Sequence, residues 1–336
     1  MSTSSDRPSS VPVAVYTDID DTDVSGGVAL LEAAGFEVRI AGGRDAERIA
    51  AVAHDAEALL VGYATVDAGL INALPRLKII AVMSMGFNNI DLDAARARGI
   101  WVCNVPGAAT EEVATHALAL ALHAERQLTF YLDSANSEGW NGRAPVAPRR
   151  LSELTLGIVG LGKIGRALAS VAAPLFGRII GYDPLLPDTA ETEQSLADLG
   201  IERTTLEEVR RRSDVLSLHV PLTPETESMV DAAFIDEMPA HASIINMSRG
   251  ALIDELALRK ALDSGRMRWA ALDVLSEEPP QPDHPLVGHP SVALTPHIAY
   301  FSDRTDAEYV RIQAQNVASW FTSGTPETHV LAPTTS

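Results

Sequence analysis

Cationic side chains are scarce in this chain: 26 Lys and Arg stand against 45 Asp and Glu, a formal net charge of −19. A field of that sign repels phosphate backbones and anionic lipid surfaces, so neither nucleic acid nor membrane is an expected partner. It also repels anionic substrates at long range, and an anionic substrate would need local positive charge at its site. Cysteine is scarcer still. The single one, Cys103, excludes an internal disulfide and a cysteine-based metal cluster, and no metal is expected. No apolar run of roughly eighteen residues suggests a membrane span. The start, MSTSSDRPSS, lacks the apolar centre of a signal peptide and reads as a disordered tail on a cytoplasmic protein. Low-complexity segments and solenoid repeats are missing too.

What is present is the make-up of a two-domain globular protein: 336 residues, 46% hydrophobic and 21% charged. Short apolar strands, Val13–Thr17, Val38–Ala41, Ala58–Val61, Lys78–Val82 and Ile100–Asn104, alternate with helical stretches such as Gly27–Ala34 and Ala46–His54. That rhythm predicts an α/β fold with a parallel sheet covered on both faces. Thr110 is the expected N-cap of a long apolar helix, with Glu111 and Glu112 favourably placed in its first turn. Such a helix fits a core or an interface with a second subunit. Tyr131–Arg150 reads as a connecting arm. A second strand–helix series runs from Thr155 to about Pro296, and a last helix spans about Asp303–Thr322. Two doubly wound domains are therefore expected.

The stretch Leu154–Ala173 carries the most specific signal. An apolar strand, Leu154–Val159, leads into Gly160, Gly162 and Gly165 in the pattern G-x-G-x-x-G, and a helix is expected over Arg166–Ala173. The first glycine permits a tight turn, the second lets a pyrophosphate approach the backbone, and the third lets helix and strand pack closely. The helix N-terminus then offers N–H groups to phosphate. A second strand, Arg178–Tyr182, ends in Asp183. A carboxylate there can bind the two ribose hydroxyls and repel a 2′-phosphate, which points to NAD over NADP; the plainer alternative is a turn residue before Pro184.

Three later strand ends carry chemistry, at the edge where open α/β sheets bind ligands. Asn246-Met247-Ser248-Arg249 supplies an arginine able to hold a carboxylate by two parallel bonds and polarise the adjacent carbonyl. Asp273, Glu277 and Glu278 follow the next strand, and Glu277 reads as part of an acidic loop. Thr295-Pro296-His297 ends the third. Hydride transfer to a ketone leaves an alkoxide that needs a proton, which a histidine supplies and can take back. Glu278 beside it would favour the protonated ring and hold one tautomer.

At this point the sequence resembles the D-isomer-specific 2-hydroxyacid dehydrogenase family. The likeness is carried in order by Gly160–Gly165, Leu218-His219-Val220-Pro221-Leu222-Thr223-Pro224-Glu225-Thr226, Asn246–Gly250, Leu272-Asp273-Val274 with Glu278-Pro279, and Thr295-Pro296-His297. It extends over about Lys78 to Ser302 and includes Gly86–Asp91 and Val102–Pro106. The resemblance implies a Rossmann NAD-binding domain inserted into a flavodoxin-like substrate domain: residues 105–298, with a dimerisation helix and arm over 110–150, within 11–104 plus 299–336.

It also implies roles. Arg249 would bind the substrate carboxylate, and Glu278 would pair with His297 as the acid/base. Lys163, Ile164, His219, Val220, Pro221, Thr226, Met247 and Ser248 would line the cofactor. Asp273 would accept from the nicotinamide amide. Ser84, Met85, Gly86 and Tyr300 would touch a small 2-oxo or 2-hydroxy acid. A homodimer is implied.

There are departures. Met83-Ser84-Met85-Gly86 has less glycine than many relatives, and Tyr300-Phe301 stand where small residues or a tryptophan are usual. With the chain ending at Ser336, the regulatory domain of long phosphoglycerate dehydrogenases is not expected. Gly86–Asp91, Val102–Pro106 and His297–Ser302 are also similar to the C-terminal binding proteins, which leaves a second expectation: an NAD(H)-responsive binding protein with little turnover.

Overall fold

A computed structural model describes residues 11–136, 140, 143–144 and 146–333. The expected tail over residues 1–10, part of the arm expected over Tyr131–Arg150 and residues 334–336 lie outside the described residues. The chain divides into two compact units, Met1–Ala108 with Ser302–Ser336, and Ala109–Phe301.

The first unit holds five parallel strands: β1 Val13–Tyr16, β2 Glu37–Ile40, β3 Ala58–Val61, β4 Ile79–Val82 and β5 Trp101–Cys103. Their order is β2-β1-β3-β4-β5, the flavodoxin-like arrangement. Every residue of β1, β3 and β4 is buried. These runs are apolar without alternation because helices cover both faces. Tyr16, Leu60 and Ile79 pack with Leu31, Val310 and Val317 on one side; Val15, Leu59 and Ile80 pack with Ile49, Ile71 and Leu74 on the other. The short helices here start where Asp45, Asp67 and Asp91 accept backbone N–H groups of Arg48, Leu70 and Ala94. The last helix, Thr305–Ser323, belongs to this sheet. Its buried Gln313 donates to the carbonyls of Val61 and Ala81, at the carboxyl ends of β3 and β4.

Seven parallel strands build the second unit: β6 Thr155–Val159, β7 Arg178–Tyr182, β8 Ile201–Arg203, β9 Val215–Leu218, β10 Ala242–Asn246, β11 Met267–Leu272 and β12 Val292–Leu294. The order is β12-β11-β10-β9-β6-β7-β8. Chain direction across the sheet reverses between β6 and β9, which pair so that Val159 lies beside Leu218. Gly160 and His219 therefore emerge side by side at the topological switch point, where such sheets bind dinucleotides.

Three local expectations are corrected. Thr110 is not the N-cap. The helix Thr110–Glu125 begins with it, Ala109 precedes it without a side-chain cap, and the Thr110 hydroxyl is buried away from the helix N–H groups. That helix ends at Glu125, with Arg126 as its C-cap, and Gln127 follows with a φ of 57° that prevents its continuation. A second helix, Leu128–Asn136, then occupies the start of the expected arm. The helix after the glycines runs Lys163–Ala172, not from Arg166, so Gly165 sits inside its first turn. No described helix is long and apolar enough to cross a membrane.

Candidate active site

The glycine turn follows β6 directly. Gly160 has φ +97°, and a Cβ there would stand 2.3 Å from the His219 carbonyl oxygen. A Cβ on Gly165 would stand 2.0 Å from the Gly160 carbonyl oxygen. Both positions therefore exclude any side chain. Gly162 differs: nothing lies within 4 Å of where its Cβ would be, and it caps the ten-residue helix Lys163–Ala172 without a side-chain bond. Open space thus faces the first-turn N–H groups and the positive end of the helix, as a pyrophosphate requires. Lys163 and Ile164 begin that helix.

Asp183 follows β7 directly and grips the turn. Its Oδ2 accepts from the Leu161 N–H at 2.9 Å and its Oδ1 from the Leu185 N–H at 2.9 Å. It is a structural brace of the turn whatever it does for a ribose. His219 accepts or donates one hydrogen bond with the Ser217 hydroxyl through Nε2, at 2.8 Å. Burial pushes its imidazole down to about 4, so it is neutral at pH 7. Val220 and Pro221 follow it, and Thr226 closes the loop by donating to the Pro221 carbonyl at 2.7 Å. Ser248, after β10, donates to the Leu218 carbonyl at 2.9 Å, and Met247 beside it is buried. These residues all lie at the carboxyl edge of one sheet.

Arg249 follows β10, Glu278 follows β11 and His297 follows β12. His297 Nδ1 lies 2.6 Å from Glu278 Oε2. A carboxylate only accepts, so Nδ1 carries the proton and Nε2 is left to exchange one. Glu278 Oε1 accepts from the Leu275 N–H at 2.9 Å. Burial pushes the Glu278 carboxyl up, but the hydrogen bonds from His297 and Leu275 and the charges of His297 and Arg249 outweigh it and hold the group below 4.5. Burial lowers the guanidinium of Arg249, opposed by the charge of Glu278; it remains a cation at neutral pH. Arg249 Nη1 also donates to the Ser248 carbonyl at 2.7 Å. The structure thus gathers a half-buried cation and a carboxylate-supported imidazole at three neighbouring strand ends.

Asp273 is 2% exposed. Its Oδ1 accepts from the Thr295 hydroxyl at 2.5 Å and the Ile298 N–H at 2.9 Å, and its Oδ2 from the Ala299 N–H at 2.8 Å. Tyr300 and Phe301 close the segment with rings 6.4 Å apart, edge to face. In the first unit, Ser84, Met85 and Gly86 follow β4. Ser84 Oγ donates to the Gly86 carbonyl at 2.5 Å, and Asn104 Nδ2 donates to the Met85 carbonyl at 2.8 Å. The loop is pinned from its own unit.

Sequence reasoning passed over several supports. Glu255 accepts from the N–H and hydroxyl of Ser276, at 2.8 and 2.5 Å, and lies 3.1 Å from His284 Nε2. It therefore braces the loop that carries Glu278. His116 lies 3.1 Å from the Thr295 hydroxyl. A histidine set among Ala114, Ala117 and Leu118 in the apolar middle of its helix was the available signal for it.

Fold and site together define a doubly wound α/β protein with a dinucleotide turn and a hydrogen-bonded His297–Glu278 pair on one sheet edge. The family profile described as D-isomer specific 2-hydroxyacid dehydrogenase, NAD binding domain, matches residues 118–299. The chain belongs to that family. It is 38% identical over 263 residues to a D-3-phosphoglycerate dehydrogenase of Mycobacterium tuberculosis, covering 78% of this chain and 48% of the relative. The chain thus spans about half the length of such curated relatives. A glyoxylate reductase of Korarchaeum cryptofilum is 38% identical over 262 residues, 76% of each chain. Among solved structures, D-lactate dehydrogenase from Aquifex aeolicus, complexed with NAD and lactic acid, superposes with a TM-score of 0.82 at 26% identity, covering 96% of this chain and 100% of that one.

Proposed function

We propose that the chain is an NAD-dependent dehydrogenase that interconverts a small D-2-hydroxy acid and its 2-oxo acid. The observation that carries this is the 2.6 Å His297–Glu278 pair beside Arg249, on the sheet edge that also presents the glycine turn. Bound NADH supplies the hydride. Arg249 holds the substrate carboxylate and polarises the carbonyl next to it. His297 gives the proton on Nε2 to the oxygen that becomes the hydroxyl, and Glu278 stabilises the imidazolium before transfer. In the oxidation direction His297 takes the same proton back. Tyr300, Ser84, Met85 and Gly86 are the proposed contacts to the rest of the substrate.

The names of the relatives, a glyoxylate reductase and a D-lactate dehydrogenase among them, favour a compact substrate. The exposed Leu128 and Leu132 on the helix Leu128–Asn136 favour a homodimer, and the low cysteine content favours a cytoplasmic location.

The test is NADH oxidation across 2-oxo acids of increasing size, with His297→Ala alongside. Turnover with at least one acid, lost in the variant while NADH still binds, supports the reading. Tight NADH binding with no turnover of any acid overturns it in favour of a binding protein.

A further inference from the structure

His297 occupies the left-handed region, with φ +52°. A non-glycine residue stays there only when its surroundings over-determine it. What holds it is Asp273. The Asp273 carbonyl accepts from the His297 N–H at 2.8 Å, while its carboxylate accepts from Thr295 Oγ1, Ile298 N and Ala299 N. One buried side chain thus ties down the residues on both sides of the imidazole.

The hydrogen-bond directions follow from chemistry. The Thr295 hydroxyl has one proton, and at 2.5 Å from a carboxylate oxygen it points there. His116 Nε2, 3.1 Å from the same hydroxyl, must then donate to it. His116 comes from the helix Thr110–Glu125, so the chain His116→Thr295→Asp273 links that helix to the acid/base turn.

We infer that Thr295 and Asp273, backed by His116, are positioning residues that lock the His297 turn in its left-handed form and so place Nδ1 on Glu278. This rests on the proposed function for its kinetic readout. It also changes the expectation for Asp273: its two oxygens already serve three donors of the turn, so its work reaches the reaction through His297 and not chiefly through the cofactor amide.

The experiment compares Thr295→Val, nearly isosteric but without a hydroxyl, with Thr295→Ser, which restores it. Thr295→Val lowers kcat at saturating NADH by about tenfold or more, within the range that a mis-set general acid costs. The Kd for NADH stays within about twofold, because the glycine turn is untouched. The pH profile of kcat/KM changes as the Glu278 contact weakens. Thr295→Ser recovers most of the activity. His116→Leu gives a severalfold loss that is not additive with Thr295→Val.

Unchanged kcat and pH profile in Thr295→Val overturn the inference. So does a loss confined to NADH affinity, or an equal loss in Thr295→Ser. If Thr295→Val melts far below the wild type, His116→Leu and Thr295→Ser carry the same comparison. If the wild-type protein turns over no 2-oxo acid, the proposed function fails separately. NMR titration of the His297 ring in wild type and Thr295→Val then decides the positioning role: a changed titration supports it and an identical one overturns it.

Discussion

Replacing Glu278 by glutamine tests the acid/base pair with almost no change in shape. The wild-type carboxylate serves two donors, Leu275 N–H at 2.9 Å and His297 Nδ1 at 2.6 Å. An amide has one oxygen to offer, so either the backbone N–H or the imidazole N–H must face an NH2 group. The lost charge matters more. With charge centres about 4 Å apart and an effective dielectric near 20, the attraction between imidazolium and carboxylate is about 4 kcal/mol. The two side chains are 46% and 34% exposed. Solvent screening at that exposure leaves roughly 1.5–2.5 kcal/mol, and each 1.4 kcal/mol is tenfold in rate.

Glu278→Gln is therefore expected to lower kcat about 10- to 100-fold at pH 7, with NADH affinity preserved. The pH profile of kcat/KM should also change, since the charge facing His297 is removed. Stopped-flow NADH oxidation with a 2-oxo substrate, together with fluorescence titration of NADH binding, measures both quantities. A kcat within twofold of wild type would remove the pair from the mechanism. A fall in NADH affinity that accounts for the whole loss would place Glu278 in the cofactor site instead.

Asp183→Asn should narrow the preference for NADH over NADPH by about tenfold in kcat/KM, the scale of one like-charge repulsion removed; an unchanged ratio puts selectivity elsewhere. Glu125 is fully buried, held by Arg149 through bonds of 2.8 and 2.6 Å and by the Ser243 hydroxyl at 2.7 Å. Glu125→Ala leaves Arg149 its longer contact to Asp214, 3.6 Å, but removes the carboxylate 3.9 Å from the more buried Arg268; it should cost about 3 kcal/mol, seen as a fall in Tm of roughly 10 °C, and a shift under about 2 °C refutes the buried-pair reading. The pH dependence of stability follows from His219. Its imidazole is held down to about 4 in the folded protein against an ordinary 6.5. Between those values the unfolded chain binds a proton that the native one does not, so stability is full above 6.5 and falls as pH drops toward 4. Urea midpoints at pH 7.5 and 5 measure the slope, and His219→Gln should flatten it; an equal slope in the variant assigns the effect to other groups.

Much of the chemistry was legible one residue at a time. Gly160 and Gly165 could be read as obligatory glycines because strand and helix signals flank them, and the structure adds the clashes, 2.3 and 2.0 Å, that forbid a Cβ. Arg249, Glu278 and His297 could be read as neighbours because each follows an apolar run that had to be a parallel strand. Less legible were features set by what the backbone does between elements. Thr110 has the side chain of a cap, yet the chain turns so that its hydroxyl is buried. The polar segment Tyr131–Arg150 looks like a connecting arm, yet its start, through Asn136, is helical. Asp273 reads as a cofactor ligand by resemblance, and its grip on Thr295, Ile298 and Ala299 becomes visible only in three dimensions.

The sequence by itself determined the periodic and the local: which runs become buried strands, where glycine is required, and which strand ends carry charge. Those follow from side-chain burial and backbone sterics within a few residues. Only the tertiary structure decided the order of the strands, the 2.6 Å meeting of His297 with Glu278, and the reach of His116 across 179 positions to Thr295. Contacts of that kind depend on how separate elements pack, and a hydrogen bond that changes by an ångström is made or lost while the residue pattern stays the same.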